Sequence, residues 1–294
     1  MQLDAHGQRW YRGNLHAHTT LSDGKQTPEK CIEIYRSAGY DFLAITDHWR
    51  WHPEESSPDF LLLSGAEYDT GTNDVTQGVY HILGVGAKTP PALIRRPAPC
   101  PQGIIDAIHQ ADGIAILAHP AWSLNRSEEV AQLSGFDGTE IYNTVSGIPW
   151  NARPYSGQFV DELAVQGRYL PCMAADDVHF YQGDQTRSYL MVQCDALSRE
   201  DILNALRQGR YYATQGPRVE SFVVEDGVVK VECSPVQHIV FYSNAIYSSH
   251  RVASGEGITQ ACYPLQEIET YVRVELIDAQ GNTAWTSPVA VKKP

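Results

Sequence analysis

Nine side chains in this sequence have the chemistry of metal ligands and recur in a pattern: His16, His18, Asp23, His48, Glu67, His81, His119, Asp177 and His179. Imidazole and carboxylate groups without thiolate suit zinc, manganese or iron at a reactive site rather than a Cys-rich structural zinc site. A catalytic ion takes three or four protein ligands, so nine candidates imply two or three divalent ions. Taken singly, each has a duller explanation. A lone histidine on a strand is usually a hydrogen-bonded core or surface residue, and a lone Asp after a strand is commonly a helix cap. Coincidence decides the matter. Random placement of the 11 histidines would rarely put six of them at one end of successive strands.

Those strands are read from short apolar runs alternating with amphipathic stretches, the pattern of β-α units. Strands are predicted near Gly13–His16, Phe42–Thr46, Phe60–Ala66, Val79–Val85, Ile114–Ala118, Gly138–Tyr142 and Tyr169–Ala174. His16 and His18, two apart on the first, would share a face. Asp47-His48 would end the second strand, Glu67 the third and His119 the fifth, with His81 on the fourth and Asp177-x-His179 after the seventh. In barrel enzymes the C-terminal ends of the strands carry the active site.

Helices are expected over Pro28–Ala38, after Thr27 as N-cap with Pro at the first position, and over Gly103–Ala111 and Gln158–Val165, with Gly113 and Gly167 past their ends. Lys88–Pro101, with five prolines, reads as a loop. From about Val219 the pattern changes to alternation, with an Asp226-Gly227 hairpin and further strands at His238–Tyr242, Thr270–Asp278 and Thr283–Val291. The expected architecture is therefore α/β: a distorted seven-stranded barrel over residues 1–215, then a small antiparallel β-sandwich over residues 216–294, joined around Thr214–Arg218.

Composition limits the partners. The chain has 294 residues and a formal net charge of −13, which disfavours long nucleic acid or an anionic membrane but not a small phosphate drawn to a metal-filled pocket. Cys31, Cys100, Cys172, Cys194, Cys233 and Cys262 form no C-x-x-C pair and read as reduced thiols. The N-terminal sequence has no basic region followed by an apolar stretch, and no apolar run is long enough to span a bilayer, so a cytoplasmic location is expected. The oligomeric state is not specified by these features.

The segments NLHAHTTLSDG, AITDH, GAEYD, YHILG, AHP and DDVH resemble, in order, the motifs of the PHP (polymerase and histidinol phosphatase) family, over roughly Tyr11–Thr214. The resemblance implies a distorted seven-stranded α/β barrel, up to three metals and hydrolysis of phosphate esters through a metal-bridging hydroxide, with no side-chain nucleophile. It would place His16, His18, Glu67 and Asp177 on a first ion, Glu67, His81 and His119 on a second, and Asp23, His48 and His179 on a third. Asp47 and Asp176 would orient ligands rather than bind metal. Lys25, Asn143 and Arg153 are candidates for binding the phosphate. Trp49, Trp51 and Trp150 could stack on a base or sugar, while His52, His109, His238 and His250 are assigned to surface or core.

The function expected is that of a small-ester phosphoesterase. Two alternatives are a 5′-3′ exonuclease acting on short oligonucleotides and a non-catalytic, metal-stabilised binding module.

Overall fold

The computed structural model describes residues 2–3, 7–71 and 78–291. Its strands alternate in the direction their side chains point. Phe42 and Ala44, Leu61 and Leu63, and Ile114 and Ile116 enter one central apolar cluster, whereas Leu43, Ile45, Phe60, Leu62, Ala115 and Leu117 point the other way into outer clusters. Two-residue periodicity with apolar side chains on both faces makes strands covered on both sides. The outer clusters are covered by helices: Pro28–Ser37 over one, and Pro101–Gln110 and Gly157–Val165 over the other.

The strands expected to close as one barrel belong to two sheets. In one, Arg9–Asn14, Phe42–Ala44 and Phe60–Leu63 run parallel; in the other, Ile114–Leu117, Gly138–Asn143 and Cys172–Ala175 run parallel. Gly65–Asp69, His81–Val85 and Ile114–Leu117 pair antiparallel, so the second sheet is mixed. The single strand predicted over Phe60–Ala66 breaks at Ser64 into two, one per sheet. At Gly65 a Cβ would lie 2.6 Å from the Ile45 carbonyl oxygen, so the chain passes close to its neighbour only because glycine has no side chain. Isolated bridges join the sheets near the site, Ala17 to Val178 along one seam and His48 to Glu67 along the other.

Two strands and a helix not anticipated from sequence complete this part. Tyr189–Gln193 pairs antiparallel with Arg9–Asn14 and with Tyr211–Thr214. Between them, helix Arg199–Arg207 inserts Ile202, Leu203 and Leu206 into the central cluster. Its Arg199 donates to the carbonyls of Gly86 at 2.6 Å and Asp112 at 2.7 Å, just beyond the strand ends remote from His81 and His119. One end of the core is thus sealed, leaving the other for chemistry. Ser198, whose Oγ accepts from the Asp201 N–H at 3.1 Å, was the available sequence signal for this helix.

Beyond Gly216 the pairing is entirely antiparallel among the described residues, from Val219–Glu225 through Tyr271–Ile277 to Val289–Ala290, around a separate apolar cluster containing Val231, Ile239, Phe241 and Val274. These strands are hydrogen-bonded into the larger sheet, since Thr283–Trp285 pairs with Tyr211–Thr214 and the Trp285 side chain enters the central cluster. No helix among the described residues is long and apolar enough to cross a membrane.

Candidate metal centre

The nine candidate ligands form one cluster, and all but His16 and His18 line one cavity, although several occupy positions other than those expected. His16 and His18 lie beyond the end of Arg9–Asn14, in extended chain tied down by the Ala17 bridge, and both are fully buried. Asp23 sits in the following turn, whose closure needs Gly24: a Cβ there would lie 2.3 Å from the His18 carbonyl oxygen. Glu67 occupies the middle of Gly65–Asp69, and His81 is the first residue of its strand. His119 (φ 29°) and Asp177 (φ 52°) leave the ends of their strands in left-handed backbone conformations. Such conformations cost of order 1–3 kcal/mol and cluster where function demands them.

The ligand atoms fall into four overlapping groups: His18, Asp23, His48 and His179; His16, Glu67 and His119; His16, His18 and Asp177; His48, Glu67 and His81. Within each group the atoms lie within 4.8 Å of one another. Asp23, His48 and His179 fall together, as expected, and Glu67 touches two groups. His119, however, groups with Glu67 through His16, while His81 groups with Glu67 through His48.

The donor set fits divalent cations on three observations. Asp177 Oδ1 and His48 Nδ1 are buried without a well-aligned hydrogen bond, Oδ1 lying 3.1 Å from Nε2 of both His16 and His18 and Nδ1 3.2 Å from Glu67 Oε2, and a coordinated ion would satisfy them. Nε2 of His16 faces Nε2 of His18 at 3.2 Å, while Nδ1 of His16 donates to Glu140 Oε1 at 2.7 Å, leaving the Nε2 lone pair of a neutral His16 to point into the cluster. Third, burial would raise the Glu67 carboxyl, yet the His48, His16 and His81 rings drive its pKa well below the carboxylate range. Burial likewise opposes ionisation of Asp177, but His16, His179 and His18 lower its pKa. Both carboxylates are therefore ready to bind a cation.

The electrostatics of the imidazoles carry the same message. Burial disfavours a charged His16 ring, but Asp177, Glu140 and Glu67 together raise its pKa well above the usual value. His18 is raised to about 9, against the effect of burial, by Asp177 and Glu67. This negative surrounding attracts positive charge. A divalent ion would take the place of those protons and reverse the local logic.

Around the ligands stands a set of orienting groups. Asp47 accepts from the Thr19 N–H (2.7 Å), from Ser22 Oγ (2.5 Å) and from His52 Nε2 (2.7 Å). Although burial pushes Asp47 upward, these bonds hold its carboxyl at about 2. His52 is thus a buried partner of Asp47. Asp176 is fully buried and accepts from Asn14 Nδ2 (2.9 Å), Tyr35 OH (2.7 Å) and the Ser188 N–H (2.8 Å). Burial raises its carboxyl to about 6 in spite of those bonds. Ser123 Oγ lies 2.9 Å from His119 Nδ1.

Sequence reasoning overlooked Glu140. Its Oε1 binds His16, and its Oε2 accepts from the His119 N–H at 2.9 Å and from Asn143 Nδ2 at 2.8 Å. The available signal was a carboxylate inside the buried run GTEIYN, since a buried charge needs partners. Asn143, expected to touch phosphate, is fully buried, with its amide donating to Glu140 and Asp177 and its Oδ1 accepting from the Ser146 N–H. It is a scaffold residue here, because no polar atom is left over. Lys25 and Arg153 are exposed, and neither lines the cavity; their backbones bond the His179 and Ser146 carbonyls.

The cavity at the cluster measures about 230 Å³. Trp122, not singled out from sequence, forms one wall and meets the His119 ring edge-on at 5.0 Å. Phe180 forms another and stacks on Trp150 with ring centroids 6.0 Å apart. Trp49 and Trp51 instead pack against the outer cluster, and Trp49 Nε1 donates to Asp69.

No family model and no curated protein matches this sequence. The fold is similar to that of a two-domain protein from Bacteroides vulgatus containing a predicted PHP-like metal-dependent phosphoesterase, with a TM-score of 0.56, 13% identity and 98% of each chain covered. A putative metal-dependent phosphoesterase from Bifidobacterium adolescentis has a TM-score of 0.39 at 16% identity, over 57% of this chain and 87% of its own. An amidohydrolase from Chromobacterium violaceum has a TM-score of 0.45 at 15% identity, over 68% and 96%.

Proposed function

We propose that this chain is a metal-dependent phosphoesterase that hydrolyses a small phosphate ester at a centre of up to three divalent ions. The observation that carries the reading is the convergence of nine His, Asp and Glu side chains, in four overlapping groups, at a cavity open to solvent. A structural zinc site closes its shell with four ligands, whereas this set leaves room for water and substrate. The fold shared with the Bacteroides protein, which contains a predicted phosphoesterase, supports the same reading.

When bound, such ions lower the pKa of water toward neutrality and neutralise charge on phosphoryl oxygens. His16, His18, Asp177, Glu67, His119, His81, His48, Asp23 and His179 would hold them. Manganese, zinc and iron all suit this set. The remaining residues position the ligands: Glu140 fixes the tautomer of His16, Ser123 restrains His119, and Asp47 pins the Thr19–Ser22 turn beside His18. Trp122 and Phe180 line the cavity and would exclude water from a bound ester. The small cavity and the net charge of −13 both favour a small ester over a polymer.

The test is phosphate or alcohol release from a panel of monoesters, diesters and short 5′-phosphorylated oligonucleotides, using manganese-loaded protein beside His119→Ala. Turnover of a small ester that the substitution abolishes is the expected result. Shortening of oligonucleotides alone would point to the exonuclease alternative, and bound metal without turnover of any member would overturn the hydrolase reading.

A further inference from the structure

The metal cavity does not end at His81. His81 and Trp122 also line a second, larger cavity of about 520 Å³, lined in addition by Asp69, the cross-strand partner of His81, and by Arg95 and Arg96. Arg95 and Arg96 come from the proline-rich loop between Lys88 and Pro101, so the loop delivers two adjacent guanidinium groups to the neighbourhood of the ligands.

These two cations differ from most others in the molecule. Arg199 and Arg273 are buried and spend their donors on carbonyls and carboxylates. Arg95 approaches Asp69 Oδ2 only at 3.9 Å, and that oxygen already accepts from Trp49 Nε1 at 2.7 Å. Arg96 has no side-chain hydrogen bond or ion pair among the described residues. In a chain of net charge −13, two guanidinium forks with unspent donors beside a cavity are an exception. A planar fork of N–H donors matches carboxylate and phosphate oxygens. Trp122 stands between the two cavities and offers an apolar face to a short carbon spacer.

We propose that this second cavity receives another oxyanion of the substrate, so that the preferred ester carries a carboxylate or a further phosphate away from the scissile group. The proposal rests on the phosphoesterase reading and narrows its substrate class to esters with two anionic groups. Asp69, itself on the cavity wall, would hold Arg95 in place.

Matched pairs of esters test it. 3-Phosphoglycerate against glycerol 3-phosphate isolates a carboxylate as the second anion, and fructose 1,6-bisphosphate against fructose 6-phosphate isolates a second phosphate. Metal-loaded wild type should favour the two-anion member of at least one pair by about tenfold or more in kcat/KM, the scale of one charge-assisted hydrogen bond. Arg95→Ala/Arg96→Ala should collapse that ratio toward one with metal content unchanged. The pair that responds identifies the anion. A wild type that turns over single-anion esters without preference, or a double variant that keeps the preference, would overturn this proposal alone. Failure of the metal-loaded protein to hydrolyse any ester would remove the phosphoesterase reading as well.

Discussion

Glu140 Oε1 lies 2.7 Å from Nδ1 of His16, and both side chains are almost completely buried. A carboxylate behind a ligating imidazole fixes the tautomer and raises the basicity of the opposite nitrogen. The same carboxylate accepts the His119 N–H, so one side chain orients two candidate ligands that are far apart in sequence.

Glu140→Gln should therefore weaken metal binding by about 10- to 100-fold, the range for removing such a partner, while preserving the fold. Competition with a chromogenic chelator measures the affinity, and circular dichroism checks the fold. Unchanged affinity would reduce Glu140 to a packing residue.

His81→Ala removes a member of one ligand group, while His16→Ala and Asp177→Asn remove members of another. Each should lower bound metal and ester hydrolysis together, as read by elemental analysis and a phosphate-release assay. Normal metal content and activity in any one of them would remove that residue from the ligand set.

Metal removal should also destabilise the protein. Binding to a site present only in the folded chain adds to folding free energy. At a metal concentration about 100 times the Kd this contributes roughly 2.7 kcal/mol, or about 5 °C in Tm for a chain of this size. Scanning calorimetry before and after chelator dialysis, then with manganese restored, gives the shift. Because ligating imidazoles must be neutral and His18 is raised to about 9 in the metal-free site, protons compete with the ion and the stabilisation should fade as pH falls below about 9. A Tm indifferent to chelator and pH would count against a metal centre.

Arg273 joins helix Gly157–Val165 to the C-terminal strands. Its guanidinium is fully buried, grips Asp161 at 2.6 and 2.8 Å and Glu275 at 2.5 Å, and lies 3.9 Å from the Tyr242 ring centroid. Arg273→Ala would strand Glu275 without its cation. Breaking a buried pair from one side costs about 3–5 kcal/mol. Urea unfolding followed by tryptophan fluorescence should show a loss on that scale, and a loss below about 1 kcal/mol would show that water replaces the cation.

Thiol labelling offers a check on burial. Cys100 and Cys262 are exposed, whereas Cys31, Cys172, Cys194 and Cys233 are buried. Burial pushes Cys31 and Cys172 up to about 12, and Cys194 and Cys233 up to about 11. Only the thiolate reacts. Native protein should thus be modified rapidly at Cys100 and Cys262 alone, and at all six cysteines in denaturant; fast modification at Cys31 would contradict the packing under helix Pro28–Ser37.

Much of the local structure was legible from sequence. Thr27 followed by Pro28 marks a helix start, and Thr27 Oγ1 indeed accepts from the Lys30 N–H. The apolar runs Phe42–Ala44 and Ile114–Leu117 form buried strands as read. Less legible was the break at Ser64, because Phe60–Ala66 is continuously apolar enough for one strand. It is the close approach of the Ile45 carbonyl to Gly65 that assigns its halves to different sheets.

By itself the sequence determined the inventory: nine imidazole and carboxylate candidates for metal ligation, no thiolate among them, and a net charge of −13. Those are properties of residue type and spacing, which the chain carries before it folds. Only the tertiary structure decided which candidate ligands come within reach of one another, that Glu140 holds His16 while Asn143 is spent inside, and that Arg95 and Arg96 lie at a cavity reaching His81. Each of these depends on side chains far apart in sequence meeting within a few ångströms. Hydrogen bonding and ion coordination act only at that range, and the packing of the two sheets sets which atoms reach it.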